Sequence, residues 1–176
     1  MTTPQCEIPY DYTPPERAPP LLAGMLGVTH ERHYDMMRLV RDLPHDALLW
    51  RPGSRMSSLA GLVRHIMDDD VRCARRAAGE TVADVGNGAF MDATDDAPTL
   101  VACIVEGDAL VKRLLEPLTP AHLAERRGSQ ADSPVAGRII ADMVDHNAMH
   151  WGQMQLTRHL WEHAHPDFRG AYEHWW

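Results

Sequence analysis

His146 and His150 stand four residues apart in the segment Asp142-Met143-Val144-Asp145-His146-Asn147-Ala148-Met149-His150-Trp151-Gly152-Gln153. On a helix that spacing places two imidazoles one turn apart on the same face, where they can chelate one metal ion. The stripe continues through Asp142 one turn before and Gln153 nearly one turn after. The chain holds 11 histidines, so the pair is also compatible with two partly buried rings bonded to carbonyls or carboxylates. A third ligand has to come from another helix. His65 is the candidate, lying between the apolar Leu62 and Ile66; a histidine at the edge of the surface is the alternative. Asp69, one turn after His65, could orient a ring or act as a base, although Asp68, Asp69 and Asp70 together also read as a solvated acidic turn. His33 interrupts an apolar stripe close to Thr29. The two read as a wall of the binding pocket, or His33 is a satisfied core histidine. The other histidines, including His30, His122 and His165, fall on exposed faces or in loops and carry no assignment.

Three neutral imidazoles leave a divalent ion its full positive charge and one position for water, thiolate or carboxylate. Zinc is the default ion, and nickel or iron also suits imidazole ligands. Such an ion lowers the pKa of a bound thiol or water toward neutrality, or polarises a carbonyl.

The elements that must carry these residues are helices. Leu22, Leu26, Thr29, His33, Met36, Val40 and Leu43 recur at spacings of three and four, ending at Pro44. A connector over 44–56 contains the turn Arg51-Pro52-Gly53-Ser54. Ser57 or Ser58 caps a second helix that runs to about Gly79, with Leu59, Leu62, Val63, Ile66 and Cys73 on its apolar face. A long loop over 80–97 precedes a third helix that opens near Thr94 to Asp96. Its expected inner face is Leu100, Ile104, Ala109, Leu110 and Leu114. The polar connector 117–132 leads to a fourth helix from Pro134 to about His163, with Val135, Ile139, Met143 and Leu160 expected inside. The spacing predicts an all-α, single-domain four-helix bundle over 21–165 whose long connectors leave its order open. A proline-rich extended arm, 1–20, precedes it, and an aromatic tail, 166–176, ending in Trp175 and Trp176, follows it.

Composition narrows the functions. Seventeen basic against 25 acidic residues give a formal charge of −8, which argues against nucleic acid or an anionic membrane as partner. Three cysteines without a CxxC pair fit a reducing compartment and rule out a disulfide framework. No apolar run nears the ~20 residues of a membrane span, and no signal pattern opens the chain, so a cytoplasmic location is expected.

Three motifs in order resemble the DinB-like superfamily of metal-binding four-helix bundles (DinB/YfiT-like), most closely its actinobacterial, mini-circle-type branch. Leu43-Pro44-His45-Asp46-Ala47-Leu48-Leu49-Trp50-Arg51-Pro52 is similar to the connector after the first helix. Met56-Ser57-Ser58-Leu59-Ala60-Gly61-Leu62-Val63-Arg64-His65 is similar to the start of the second helix, ending on a ligand histidine. His146-Asn147-Ala148-Met149-His150-Trp151-Gly152-Gln153 is similar to the HxxxHxxQ motif of the fourth. The resemblance covers about residues 17–163 and does not extend to the arm or the tail. It implies a His65, His146 and His150 metal triad and a homodimer. Family members include thiol-dependent S-transferases and a mycothiol-dependent isomerase, and a related domain supplies the iron site of ergothioneine-type sulfoxide synthases.

The expected function is therefore a metal-dependent enzyme acting on a small molecule, in its most specific form the transfer or isomerisation of a low-molecular-weight thiol adduct with a thiol such as mycothiol. Asp69 or Asp142 would orient the ligands, and Gln153 would sit beside the site. Two alternatives stand: a hydrolase that activates water at the metal with Asp69 as general base, and a non-catalytic bundle that holds a metal or metabolite.

Overall fold

Prolines, caps and apolar stripes set the elements of the chain. In the computed structural model, which describes residues 8–82 and 89–170, helix α1 spans Pro20–Val40. It opens on a proline at its first position, where no amide hydrogen is needed. It stops three residues short of Leu43 because Pro44 disfavours helical geometry in the residue before it. Helix α2 is the single turn His45–Leu49. Helix α3, Leu59–Ala77, is capped by Ser58, whose hydroxyl accepts from the Gly61 amide at 3.1 Å. It ends on Gly79, whose φ of +93° is the left-handed conformation of a helix stop. Helix α4, Ala97–Leu115, is capped by Asp96, which accepts from the Thr99 amide. Helix α5, Pro120–Ala124, begins with a reciprocal capping box between Thr119 and His122. Helix α6, Ala136–Ala164, is the longest, and Pro166 follows its end. A 3-10 turn occupies Ala89–Asp92. No helix among the described residues is long and apolar enough to cross a membrane.

Helix α2, helix α5 and the 3-10 turn lie inside segments expected to be plain connectors. Elements of four or five residues are too short to show a period. Residues 1–7, 83–88 and 171–176 lie outside the described residues, and with them Cys6 and the Trp175-Trp176 end of the tail.

The four long helices pack in a ring, α1 on α4 and α6, and α3 on the same two. The core is in two apolar clusters. One holds Leu22 and Leu26 of α1, Ala74 and Ala77 of α3, Val111 and Leu115 of α4, and Ile139, Ile140 and Met143 of α6. The other holds Met36 to Val40 residues of α1, the first half of α3, Leu100 and Ile104 of α4, and Trp151, Met154 and Trp161 of α6. The early part of α1 and α6 thus meets the late part of α3 and α4. Helices α1 and α6 run one way and α3 and α4 the other. The parallel pair α3–α4 explains the long crossover between them.

The phase of two helices differs from the expected one. On α4 the buried stripe is Leu100, Ile104, Asp108, Val111 and Leu115, while Ala109 is exposed and Leu110 and Leu114 are half-buried. A stripe drawn through apolar letters alone avoids Asp108; the fold buries it by giving it partners. On α6, Leu160 is 38 % exposed, and the neighbouring Trp161 faces the core instead. The arm is not detached: Ile8 belongs to the core, and the Tyr12 hydroxyl donates to Glu116 at 2.6 Å. At the far side Arg158, fully buried, donates to Asp42, Glu162 and the Leu39 carbonyl, tying α6 to the end of α1.

Candidate metal centre

Helices α3 and α6 make one of the two most extensive helix contacts in the bundle, and the three histidines face each other across it. His146 Nε2 lies 3.0 Å from His65 Nε2 and 3.0 Å from His150 Nε2. Ring centroids are 4.3 to 4.8 Å apart, with the rings edge-on to one another. One nitrogen from each ring falls within a 4.8 Å set, the only such group of metal-ligating side chains found among the described residues. Tetrahedral zinc with Zn–N near 2.05 Å separates its nitrogens by about 3.3 Å.

Protonation favours ligation. Burial, followed by the neighbouring charges of His146 and His150, pushes His65 down to about 4. Burial also lowers His150, against the opposing pull of its hydrogen bond to Gln153. That bond joins His150 Nδ1 to Gln153 Oε1 at 2.8 Å. The amide oxygen can only accept, so Nδ1 carries the proton and Nε2 keeps its lone pair for the cluster. Lone pairs that converge this closely repel unless a cation or proton sits between them. The donor set therefore fits a divalent ion of borderline softness.

Asp69 stands behind His146. Its Oδ2 is 3.5 Å from His146 Nδ1, and it also receives Arg72 and the Cys73 thiol, the latter at 3.6 Å. The structure thus sets Asp69 within ion-pair distance of His146, on the side of the ring away from the cluster, while the buried His146 Nδ1 makes no hydrogen bond. A small closure of that gap would let the carboxylate orient the ring. Asp142 is not brought to the cluster: it is exposed and accepts from Arg138 at 2.6 Å. Thr29 is buried, and its hydroxyl donates back to the Met25 carbonyl. His33 is fully enclosed, with Asp108 on one ring nitrogen and Asp70 on the other. Neither nitrogen is free to ligate, and of the two readings of His33 the structure shows the satisfied core histidine.

Phe90 was not visible to sequence reasoning. The 3-10 turn lays its ring on His65, centroids 4.3 Å apart and 29° from parallel. Gly61 permits this approach, since a Cβ there would lie 2.9 Å from the Phe90 carbonyl oxygen. The three buried partners Asp70, Asp108 and Asn147 were missed as well. Each stands as one polar letter in an apolar stripe: Asp70 between Ile66 and Ala74, Asp108 between Ile104 and Val111, Asn147 between Met143 and Trp151.

Comparison with known proteins agrees with this fold. A family model described as the DinB superfamily matches residues 29–154. A crystal structure of a DinB-like protein from Bacillus subtilis superposes with a TM-score of 0.60 at 15% sequence identity, over 85% of this chain and 96% of that one. At that identity the likeness is one of fold. No curated protein matches the chain.

Proposed function

This chain belongs to the DinB superfamily, and from that premise we propose that His65, His146 and His150 hold one divalent metal ion and that the protein is a metal-dependent enzyme acting on a small molecule. The observation that carries the reading is the convergence of three imidazole nitrogens from two helices, two of them 3.0 Å from the third. When bound, such an ion would lower the pKa of a thiol or water and so supply a nucleophile near neutral pH. Zinc is the ion of choice for three imidazoles, with nickel or iron acceptable to the same donors.

The chain's own residues set up this chemistry. Gln153 keeps a proton on His150 Nδ1, and Asp69 backs His146. Phe90 covers one face of His65, so an apolar wall borders the cluster. The reaction class we favour is transfer or isomerisation of a low-molecular-weight thiol adduct, because an apolar wall and a soft-tolerant cation suit a thiol and an electrophilic carbon. Asp69 already accepts from Arg72 and Cys73, which favours a fixed carboxylate over proton transfer to water and makes a hydrolase the weaker reading.

Metal analysis of protein prepared without a histidine tag, followed by assays of candidate electrophiles with and without thiols, tests the reading. Turnover that requires a thiol supports transfer; turnover without one supports hydrolysis. Tight binding with no turnover supports a binding protein. We propose a homodimer as the working form, supported by apolar side chains left exposed on two adjoining helices: Leu21 and Val28 on α1, Met149 and Leu156 on α6. Light scattering of the purified protein tests it.

A further inference from the structure

Between the two apolar clusters lies one polar layer, at whose centre each long helix places one residue. These are His33 of α1, Asp70 of α3, Asp108 of α4 and Asn147 of α6, exposed by 0, 0, 4 and 2 % respectively. Hydrogen bonds connect them in a chain. His33 Nδ1 donates to Asp108 Oδ1 at 2.9 Å, His33 Nε2 donates to Asp70 Oδ2 at 2.7 Å, and Asn147 Nδ2 donates to the same Asp70 Oδ2 at 2.9 Å. The His33–Asp70 bond spans helices that are diagonal in the ring. Around Asp108 the layer is completed by His30, whose Nδ1 is 3.1 Å away, and by Lys112 at 2.7 Å, with the Tyr12 ring over the Lys112 ammonium.

Burying this layer costs more than an apolar layer of equal volume would, so stability alone does not explain it. Its place in the chain does suggest a use. Asp70 follows Asp69, which backs His146, and Asn147 follows His146 itself. The Asp70–Asn147 bond is thus a buried cross-link between the two helices that carry the metal ligands, one residue from a ligand on α6. Asp70 Oδ2 accepts from both Asn147 and His33, so the ring on α1 fixes the carboxylate that fixes α6.

We propose that His33 is a positioning residue for the metal centre: through Asp70 and Asn147 it sets the register of α6 against α3, and so the approach of His146 and His150 to His65. It touches none of the three. A buried polar contact that selects one register of packed helices is the physical basis: Asp70 Oδ1 and Asn147 Oδ1 are already buried without partners, and a slipped arrangement would also strand Asp70 Oδ2 and Asn147 Nδ2. The proposal rests on the metal reading above, and the experiment separates the two.

Cobalt(II) is added to the wild type, to His33→Gln, to Asn147→Leu, to the double variant that combines these two, and to Leu100→Ala as a core variant outside the hydrogen-bonded layer. Visible absorption at saturating metal reports the ligand arrangement, competition with a chromophoric chelator reports affinity, and circular dichroism reports folding. The expected result is a folded His33→Gln with about tenfold weaker affinity and a changed cobalt spectrum, in the range seen for residues that support metal ligands. Asn147→Leu should do the same, the double variant should lose less than the sum, and Leu100→Ala should keep the wild-type spectrum. If His33→Gln fails to fold, Asn147→Leu carries the test alone. A wild-type spectrum and affinity in every folded chain variant overturns the proposal while leaving the triad intact. Absence of cobalt binding by the wild type overturns the metal reading and the proposal together.

Discussion

Asp69 and Asp70 are neighbours on α3 with separate surroundings: Asp69 Oδ2 lies 3.5 Å from His146 of the histidine cluster, and Asp70 Oδ2 lies 2.7 Å from His33 in the bundle interior. Successive residues on a helix point about 100° apart, so one acidic pair can serve a binding cluster and a core layer at once. The predictions below separate the two duties.

Alanine at His65, His146 or His150 should each lower metal affinity by more than about tenfold, because two imidazoles chelate far less well than three. Helical content should persist. Elemental analysis and far-ultraviolet circular dichroism read both. Full occupancy in all three variants would dismiss the triad.

Chelation should leave the bundle folded, since its two apolar clusters do not include the histidines. Metal should nonetheless raise the thermal midpoint by the ordinary linkage of a ligand to the native state. A coil spectrum after chelation would mean that the site is structural.

Asp69→Ala should shift acid release of the metal to higher pH, since His146 loses the carboxylate behind it. Asp142→Ala should follow the wild-type curve, as its carboxylate is spent on Arg138. Asp68→Ala serves as the neighbouring control. Bound metal measured against pH decides: coincident curves for Asp69→Ala and wild type would remove the orienting role.

Stability should fall on the alkaline side. Burial alone would lower the pKa of His33, but its hydrogen bonds to Asp108 and Asp70 outweigh burial and raise it to about 9. The groups facing the ring are those two carboxylates, with His30, Lys112 and Tyr12 around Asp108. A folded pKa above the unfolded ~6.5 stabilises the protein fully below ~6.5, and that contribution is lost as pH rises through about 9. It is on the order of 3 kcal/mol, several degrees in melting temperature. His33→Gln should be less stable at pH 7 and flatter between pH 7 and 10. Parallel melting curves for the two proteins over that range would refute the charge assignment.

Arg158→Met should destabilise the fold by about 3 kcal/mol, because Asp42 and Glu162 lose the buried guanidinium that bridges them. Urea denaturation measures it; a loss below about 1 kcal/mol would show that the carboxylates find other partners.

Much of this molecule is legible in its letters. The four long helices, their starts at Ser57 or Ser58 and near Thr94 to Asp96, and the pairing of His146 with His150 follow from period, punctuation and a spacing of four, all of them local properties of the chain. The structure picks Ser58 and Asp96 as the caps. What joins His65 to that pair is the packing of α3 on α6, which no local pattern encodes. The same packing turns Asp69 toward His146, leaves Asp142 in solvent, and lets Gly61 admit Phe90 over His65. The polar layer was written as one odd residue in each of four stripes. Its meaning appears only when the helices meet, because a buried charge is tolerable only where an opposite charge or a hydrogen-bond partner reaches it, and for His33 and Asp70 those partners come from other helices. His30 shows the point most simply: its letters suggest an exposed ring, and only the fold brings Asp108 and the Pro9 carbonyl to it.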